Sequence, residues 1–258
     1  MYDSYTNYIE SFIDNDTSTW NFKSNSNYTG ILEHVSKNYG DSYLDEISNR
    51  FDELYNTNKQ LLLELCIMND SCGNPKKHNF DNFLCCSPSN LRYILHSLLI
   101  LKFMKDCNLN NVDIVEIGGG YGGLCFFLHK LSYLFSININ SYSMFDLQQP
   151  LLLQKKYLEN LNINNVNIMS IHSDIQNIKK NSFLVSNYAY SEISLDLQKI
   201  YTEKLLNPYI SHGFLAWNCM EQYNFIDNKI ITKEVEYPLT HNSGYNFYVR
   251  FTPQLNEC

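Results

Sequence analysis

The sequence predicts an α/β fold in which a mostly parallel, seven-stranded sheet ends in an antiparallel hairpin and follows a helical N-terminal extension. Three observations carry that expectation. Up to about Lys105, apolar residues recur every three or four positions, which is the helical period. From Val112 onward, short apolar runs alternate with helical stretches, the rhythm of βαβ units. After Trp217, two alternating segments flank a turn holding Pro238 and Gly244, as the arms of a hairpin do. The division falls at residues 1–106 for the extension and 107–258 for the sheet domain.

Within the extension, Ser42 to Met68 carries Leu44, Ile47, Phe51, Leu54 and Tyr55 on one face. The spacing predicts one amphipathic helix with Asp41 or Ser42 as its cap. A loop with Gly73, Pro75 and Cys85-Cys86 follows, and Ser89-Asn90 opens a second helix lined by Leu91, Ile94, Leu95, Leu98, Leu99 and Leu101. In the sheet domain, strands are expected over 113–117, 141–145, 166–171, 183–186 and 213–217, with helices over 121–135, 148–161 and 195–206. The hairpin strands are 230–235 and 245–251.

Composition bounds the function. With 44% hydrophobic and 18% charged residues, the chain of 258 residues is globular rather than disordered. A net charge of −8 without a clustered basic surface argues against nucleic acid as the main partner. The eight cysteines form no CxxC pair, so neither zinc nor redox chemistry is indicated. No carboxylate cluster has metal-binding spacing either, and no metal is expected. The start shows no signal peptide, and the apolar run near Ile94 to Met104 is broken by His96 and Lys102 and is too short to span a bilayer. The expectation is a cytoplasmic protein without membrane contact. Oligomeric state is left open, a homo-oligomer included.

The segment Glu116-Ile117-Gly118-Gly119-Gly120-Tyr121-Gly122-Gly123 sits after a strand and before a helix. Glycines there let a backbone approach a nucleotide-type cofactor, and a helix N-terminus presents unpaired N–H groups. An acid at the end of the next strand, Asp146 followed by Leu147, is placed to accept from ribose hydroxyls. Gly118, Gly120 and Gly123 also satisfy the dinucleotide pattern GxGxxG. Glu116 favours a positively charged methionine moiety over a pyrophosphate, so S-adenosylmethionine is the expected cofactor on a Rossmann-like domain of the class I methyltransferase type. Ser173 and Asp174 follow the third strand, where an acid reaches an adenine amino group or simply caps a helix. Ser186-Asn187-Tyr188 closes the fourth strand, facing the reactive methyl.

Ile31-Leu32-Glu33-His34-Val35, Leu91-Arg92-Tyr93, Val115 to Gly123, Phe145-Asp146-Leu147 and Ser186 to Glu192 together resemble the sugar O-methyltransferases. The similarity spans about Tyr28 to Phe251. It implies methyl transfer from S-adenosylmethionine to the hydroxyl of a sugar or nucleotide sugar, a small-molecule acceptor that composition and spacing do not show.

Such a transfer needs alignment and a base for the hydroxyl proton. Glu192, directly after the fourth strand, His34 in the extension (which in this architecture can fold over the sheet as a lid) and Tyr188 are the candidates. Glu192 also reads as a carboxylate favouring a helix dipole, and His34 as a solvated residue of an amphipathic helix. His78 is a further histidine candidate. His212 is expected at the wrong strand edge, and His241 in the hairpin loop is too distant. Two other readings stay open: an NAD(P)-dependent oxidoreductase, against which stands the absence of a Tyr-x-x-x-Lys pair at Tyr201, and a methyltransferase-like subunit without catalysis.

Overall fold

The computed structural model describes residues 2–173, 175–220, 222, 224–240 and 245–254. The chain divides into two compact units. One comprises Met1–Lys102, Gly120–Phe135 and Leu152–Asn164; the other comprises Phe103–Gly119, Ser136–Leu151 and Asn165–Cys258.

The first unit is mainly helical. Its helices are α1 (Asp3–Phe12), α2 (Lys37–Arg50), α3 (Asp52–Asp70), most of α4 (Pro88–Asp106), α5 (Gly123–Leu131) and most of α6 (Gln148–Asn160). The one helix expected over 42–68 is two. The N-cap is Ser36, whose hydroxyl accepts the Tyr39 N–H, and the break is at Phe51, with φ −129° and ψ 38°. Phe51 is buried, and spacing alone cannot distinguish a continuous apolar stripe from two helices that meet at a buried ring. His34 lies in irregular chain between Thr29 and Lys37, not on a helix. Where a loop was expected, His78–Asn79 pairs antiparallel with Cys85–Cys86, in strands too short to carry a period.

An aromatic cluster organises this unit. Phe22 lies 5.8 Å from Phe12, 4.9 Å from Tyr28 and 5.6 Å from Tyr121, and Tyr121 lies 4.9 Å from Tyr157. Lys23 is 2% exposed. Its ammonium donates to the Asn69 carbonyl at 2.6 Å and stands 4.2 Å from the centre of the Tyr121 ring. A buried lysine is costly unless paired, and here a carbonyl and aromatic faces replace its hydration.

The second unit holds the sheet: β1 (Asn111–Ile117), β2 (Asn138–Phe145), β3 (Val166–Met169), β4 (Ser182–Asn187), β5 (Ile210–Trp217), β6 (Lys229–Val235) and β7 (Phe247–Pro253). Their order is β3-β2-β1-β4-β5-β7-β6, parallel through β5, with β7 antiparallel to both its neighbours. This is the Rossmann-like arrangement of the class I methyltransferase fold that the sequence predicted. Several strands begin earlier than expected because polar residues such as Asn111 and Asn138 join the ladder. His212 is inside β5 rather than before it.

One side of the unit's core is built from Val115, Ile117, Phe145, Leu184, Leu215, Trp217 and Phe251 of the strands with Tyr190, Tyr201, Leu205 and Phe225 of the connections. The helix expected over 195–206 is α7 (Leu195–Tyr201) followed by a wider turn over Thr202–Leu206. Among the described residues no helix is long and apolar enough to cross a membrane.

Candidate functional site

In a doubly wound sheet, ligands bind beyond the carboxyl ends of the strands where the order reverses. Here the reversal lies between β1 and β4. The residues singled out by the sequence fall at that edge: Glu116, Gly118 and Gly119 at the end of β1, Asp146 and Leu147 after β2, Asn187 and Tyr188 at the end of β4.

The backbone there is closely knit. Gly118 has φ +75° and donates its N–H to the Phe145 carbonyl at 2.8 Å. A β-carbon at Gly118 would sit 2.0 Å from the Ala189 Cβ, so glycine is required by both conformation and space. The Ser186 hydroxyl donates to the Ile117 carbonyl at 2.7 Å and accepts the Tyr190 N–H at 3.1 Å. β1 and the turn after β4 are thereby fixed to one another.

Glu116 is 1% exposed, and Tyr142 donates its hydroxyl to Glu116 Oε2 at 2.8 Å. Burial pushes its pKa up to about 7; the Tyr142 hydrogen bond opposes the rise and the Asp146 charge adds to it. Asp146 is half-buried, and its Oδ1 accepts the Leu147 N–H at 2.8 Å. Leu147 itself is exposed. Asn187 has both amide atoms buried without hydrogen-bond partners, an arrangement that a protein interior rarely tolerates unless a ligand completes it.

Tyr188 has φ 66° and ψ −34°, a region costly for a residue with a side chain. Its hydroxyl donates to Glu236 Oε1, and the Thr240 hydroxyl donates to Glu236 Oε2 at 3.1 Å. Glu192 ends the short helical turn Ala189–Glu192, is exposed, and accepts from Asn218 Nδ2 at 3.1 Å. Ser173 is spent on a turn, with its N–H and hydroxyl both bonded to the Ser170 carbonyl. Asp174 and His241 lie outside the described residues.

The boundary between the units passes between Gly119 and Gly120, so the rest of the glycine segment belongs to the helical unit. There Gly122, with φ +99°, precedes α5, and Leu32 approaches Gly120. The Tyr121 ring is fully buried with its hydroxyl on Asn69, which leaves only its backbone for a ligand. Two residues beyond Leu32, partial burial and the Arg92 charge hold the His34 pKa below the usual histidine value.

Two residues escaped the sequence reading. Glu33 has φ 61°, and its Oε1 is buried without a hydrogen-bond partner while Ser87 donates to Oε2 at 3.4 Å. Its only signal is membership of the block Ile31 to Val35. Glu236 is 0% exposed; a single acid after a hairpin strand carries no sequence signal that it will be buried.

No family model matches this chain. No curated protein matches it either. Among solved structures it is similar to a protein from Methanococcus maripaludis assigned as an S-adenosyl-L-methionine-dependent methyltransferase (12% identity, 64% of this chain and 86% of that one, TM-score 0.47). It is also similar to an O-methyltransferase from Bacillus cereus in complex with SAH (12% identity, 75% and 90%, TM-score 0.45). A third is the ribosomal protein L11 methylase from Lactobacillus delbrueckii subsp. bulgaricus (12% identity, 64% and 79%, TM-score 0.44).

Proposed function

We propose that this chain is an S-adenosylmethionine-dependent O-methyltransferase acting in the cytoplasm on a hydroxyl of a sugar or nucleotide sugar. The observation that carries the donor half is the unsatisfied amide of Asn187 at the same sheet edge as Gly118 and Asp146. That edge offers a ribose acceptor, a close backbone approach and an open polar pair in a sheet of methyltransferase order. The acceptor half is supported by the resemblance of the blocks around Glu33, Arg92, Gly118, Asp146 and Tyr188 to the sugar O-methyltransferases.

In this reading Asp146 accepts from the ribose hydroxyls, Asn187 binds a polar group of donor or acceptor, and Gly118 and Gly119 bring main chain against the ligand. Leu147 and Ser173 flank the adenosine, and Glu116 is a buried support beneath the donor. The donor-binding residues named here belong to the sheet unit. The donor supplies a methyl group already activated on a sulfonium sulfur. The chain's own residues then have three tasks: aligning the acceptor oxygen, excluding water, and taking its proton. Tyr188 and Glu192 are the groups proposed for the last.

Calorimetric titration with S-adenosylhomocysteine and, in parallel, with NADH tests the donor. Micromolar binding of the first without the second is expected, and the reverse outcome refutes the proposal in favour of an oxidoreductase. Methyl transfer from labelled donor to a panel of nucleotide sugars tests the acceptor; turnover confined to amine or carbon acceptors refutes the hydroxyl assignment.

A further inference from the structure

Two acids lie within reach of the Lys23 charge in the helical unit, and their carboxylates are used very differently. Asp70, at the end of α3, has both oxygens occupied. Its Oδ2 accepts the Ser87 N–H at 2.8 Å, and its Oδ1 accepts from Asn90 Nδ2 at 2.9 Å. Glu33 has neither oxygen well served. Oε1 is buried without a hydrogen-bond partner, and Oε2 receives the long 3.4 Å contact from the Ser87 hydroxyl. Burial and the Asp70 charge disfavour its ionised form, while Lys23, Arg92 and the Ser89 hydroxyl favour it. A buried carboxylate oxygen left open costs its full desolvation. Asp70 shows that the same unit can satisfy an acid when structure is the only requirement.

The backbone of Glu33 is also under constraint. Its φ of 61° is a region costly for a residue with a side chain, and such strain gathers where ligands are held. Glu33 is half-buried, and the neighbouring His34 and Ser36 are exposed, so the segment lies at the surface of its unit. The N–H groups of Gly30, Ile31 and Leu32 bond back to the Ser26 and Tyr28 carbonyls. Among the described residues, the N–H groups of 33–36 reach no main-chain carbonyl. A strained acid with an open oxygen thus sits on chain with little main-chain anchoring, which costs little to part.

The surroundings select the ligand chemistry. An open carboxylate oxygen takes a donor, either an ammonium or a hydroxyl. Lys23 and Arg92 already act on Glu33 with positive charge, so a further cation meets repulsion and a neutral O–H does not. Two neighbouring hydroxyls suit the two oxygens of one carboxylate, one completing Oε1 and the other replacing the long Ser87 contact.

We propose that Glu33 anchors a ligand site on the helical unit, its carboxylate accepting from adjacent hydroxyls of a neutral polyhydroxylated small molecule of the sugar class. The site stands on the helical unit alone and does not depend on the methyl-transfer reading.

The first test needs no ligand. Glu33→Gln keeps the shape and removes the charge. An acid kept as a structural counter-ion destabilises the fold when neutralised, whereas an acid kept for a ligand does not. The expected urea midpoint is equal to or above that of the wild type, and a lowered midpoint overturns the inference.

The second test is saturation-transfer NMR on the full chain with the methyl glycosides of glucose, galactose and mannose, with myo-inositol, and with ethanolamine as the ammonium control. At least one neutral probe is expected to bind the wild type, with Glu33→Gln weakening it by about tenfold or more, the value of a hydrogen bond to a charged acceptor. Glu33→Ala should weaken it at least as much. Failure of every neutral probe, undiminished binding to Glu33→Gln, or a preference for ethanolamine overturns the inference. A chain that fails to bind S-adenosylhomocysteine leaves this site standing, and failure here leaves the donor site standing.

Discussion

Gly118 passes so near Ala189 that a β-carbon on the glycine would lie 2.0 Å from the alanine's own. The end of β1 and the turn after β4 are thus in direct backbone-level contact, and the edge where both strands finish has no slack. Replacing Gly118 with Ala adds a left-handed penalty to a steric one, for an expected loss of about 2–4 kcal/mol. Urea unfolding measures it. A loss under about 1 kcal/mol would mean that the turn relaxes freely and that the close approach is not structural.

Glu116 makes stability depend on pH. Burial raises its folded pKa to about 7 from the ordinary glutamate value of 4.5, so between these values the folded state holds a proton that the unfolded state has lost. Stability from this group is therefore present below the unfolded value, falls as pH rises through the window and is flat above about 7. Glu116→Gln should remove that slope, gaining on the wild type by up to a few kcal/mol between pH 5 and pH 8. Denaturant midpoints at the two pH values provide the comparison, and parallel shifts of both proteins would contradict the burial of an ionisable Glu116.

Asp146 offers its carboxylate at the end of β2, with Oδ1 accepting the Leu147 N–H. Asp146→Ala is expected to weaken S-adenosylhomocysteine binding by about 10- to 100-fold, the value of one or two hydrogen bonds to a charged acceptor. Calorimetry reads it directly, and an unaltered affinity would remove the ribose assignment.

Lys23 sits in the helical unit with its pKa lowered by burial, against which the Glu33 and Asp70 charges act. Lys23→Met leaves the Asn69 carbonyl without its donor and those acids without their cation, an expected loss of about 3 kcal/mol. A variant as stable as wild type in urea would show that the aromatic cage, not the ammonium, holds this region together.

What the sequence determined by itself is local. The run from Val115 to Gly123 announced a strand, a turn barred to side chains and a helix, because apolar alternation and glycine each have a physical meaning within a few residues. The same holds for Asp146 after its strand and for the pairing-prone runs over Lys229–Val235 and Phe247–Pro253. Tertiary structure decided matters of partnership. The placement of β7 between β5 and β6 depends on pairing across distant chain, about which a hairpin pattern is silent. The break at Phe51 and the burial of Lys23 follow from neighbours that the i, i+4 spacing does not name. The Tyr188–Glu236 hydrogen bond joins residues 48 positions apart, and Glu236 is buried only once the hairpin folds back on the sheet. The glycine segment is legible as a tight turn because its constraint is in its own backbone. The strained turn at Tyr188 was hidden because its constraint lies in the residues that surround it.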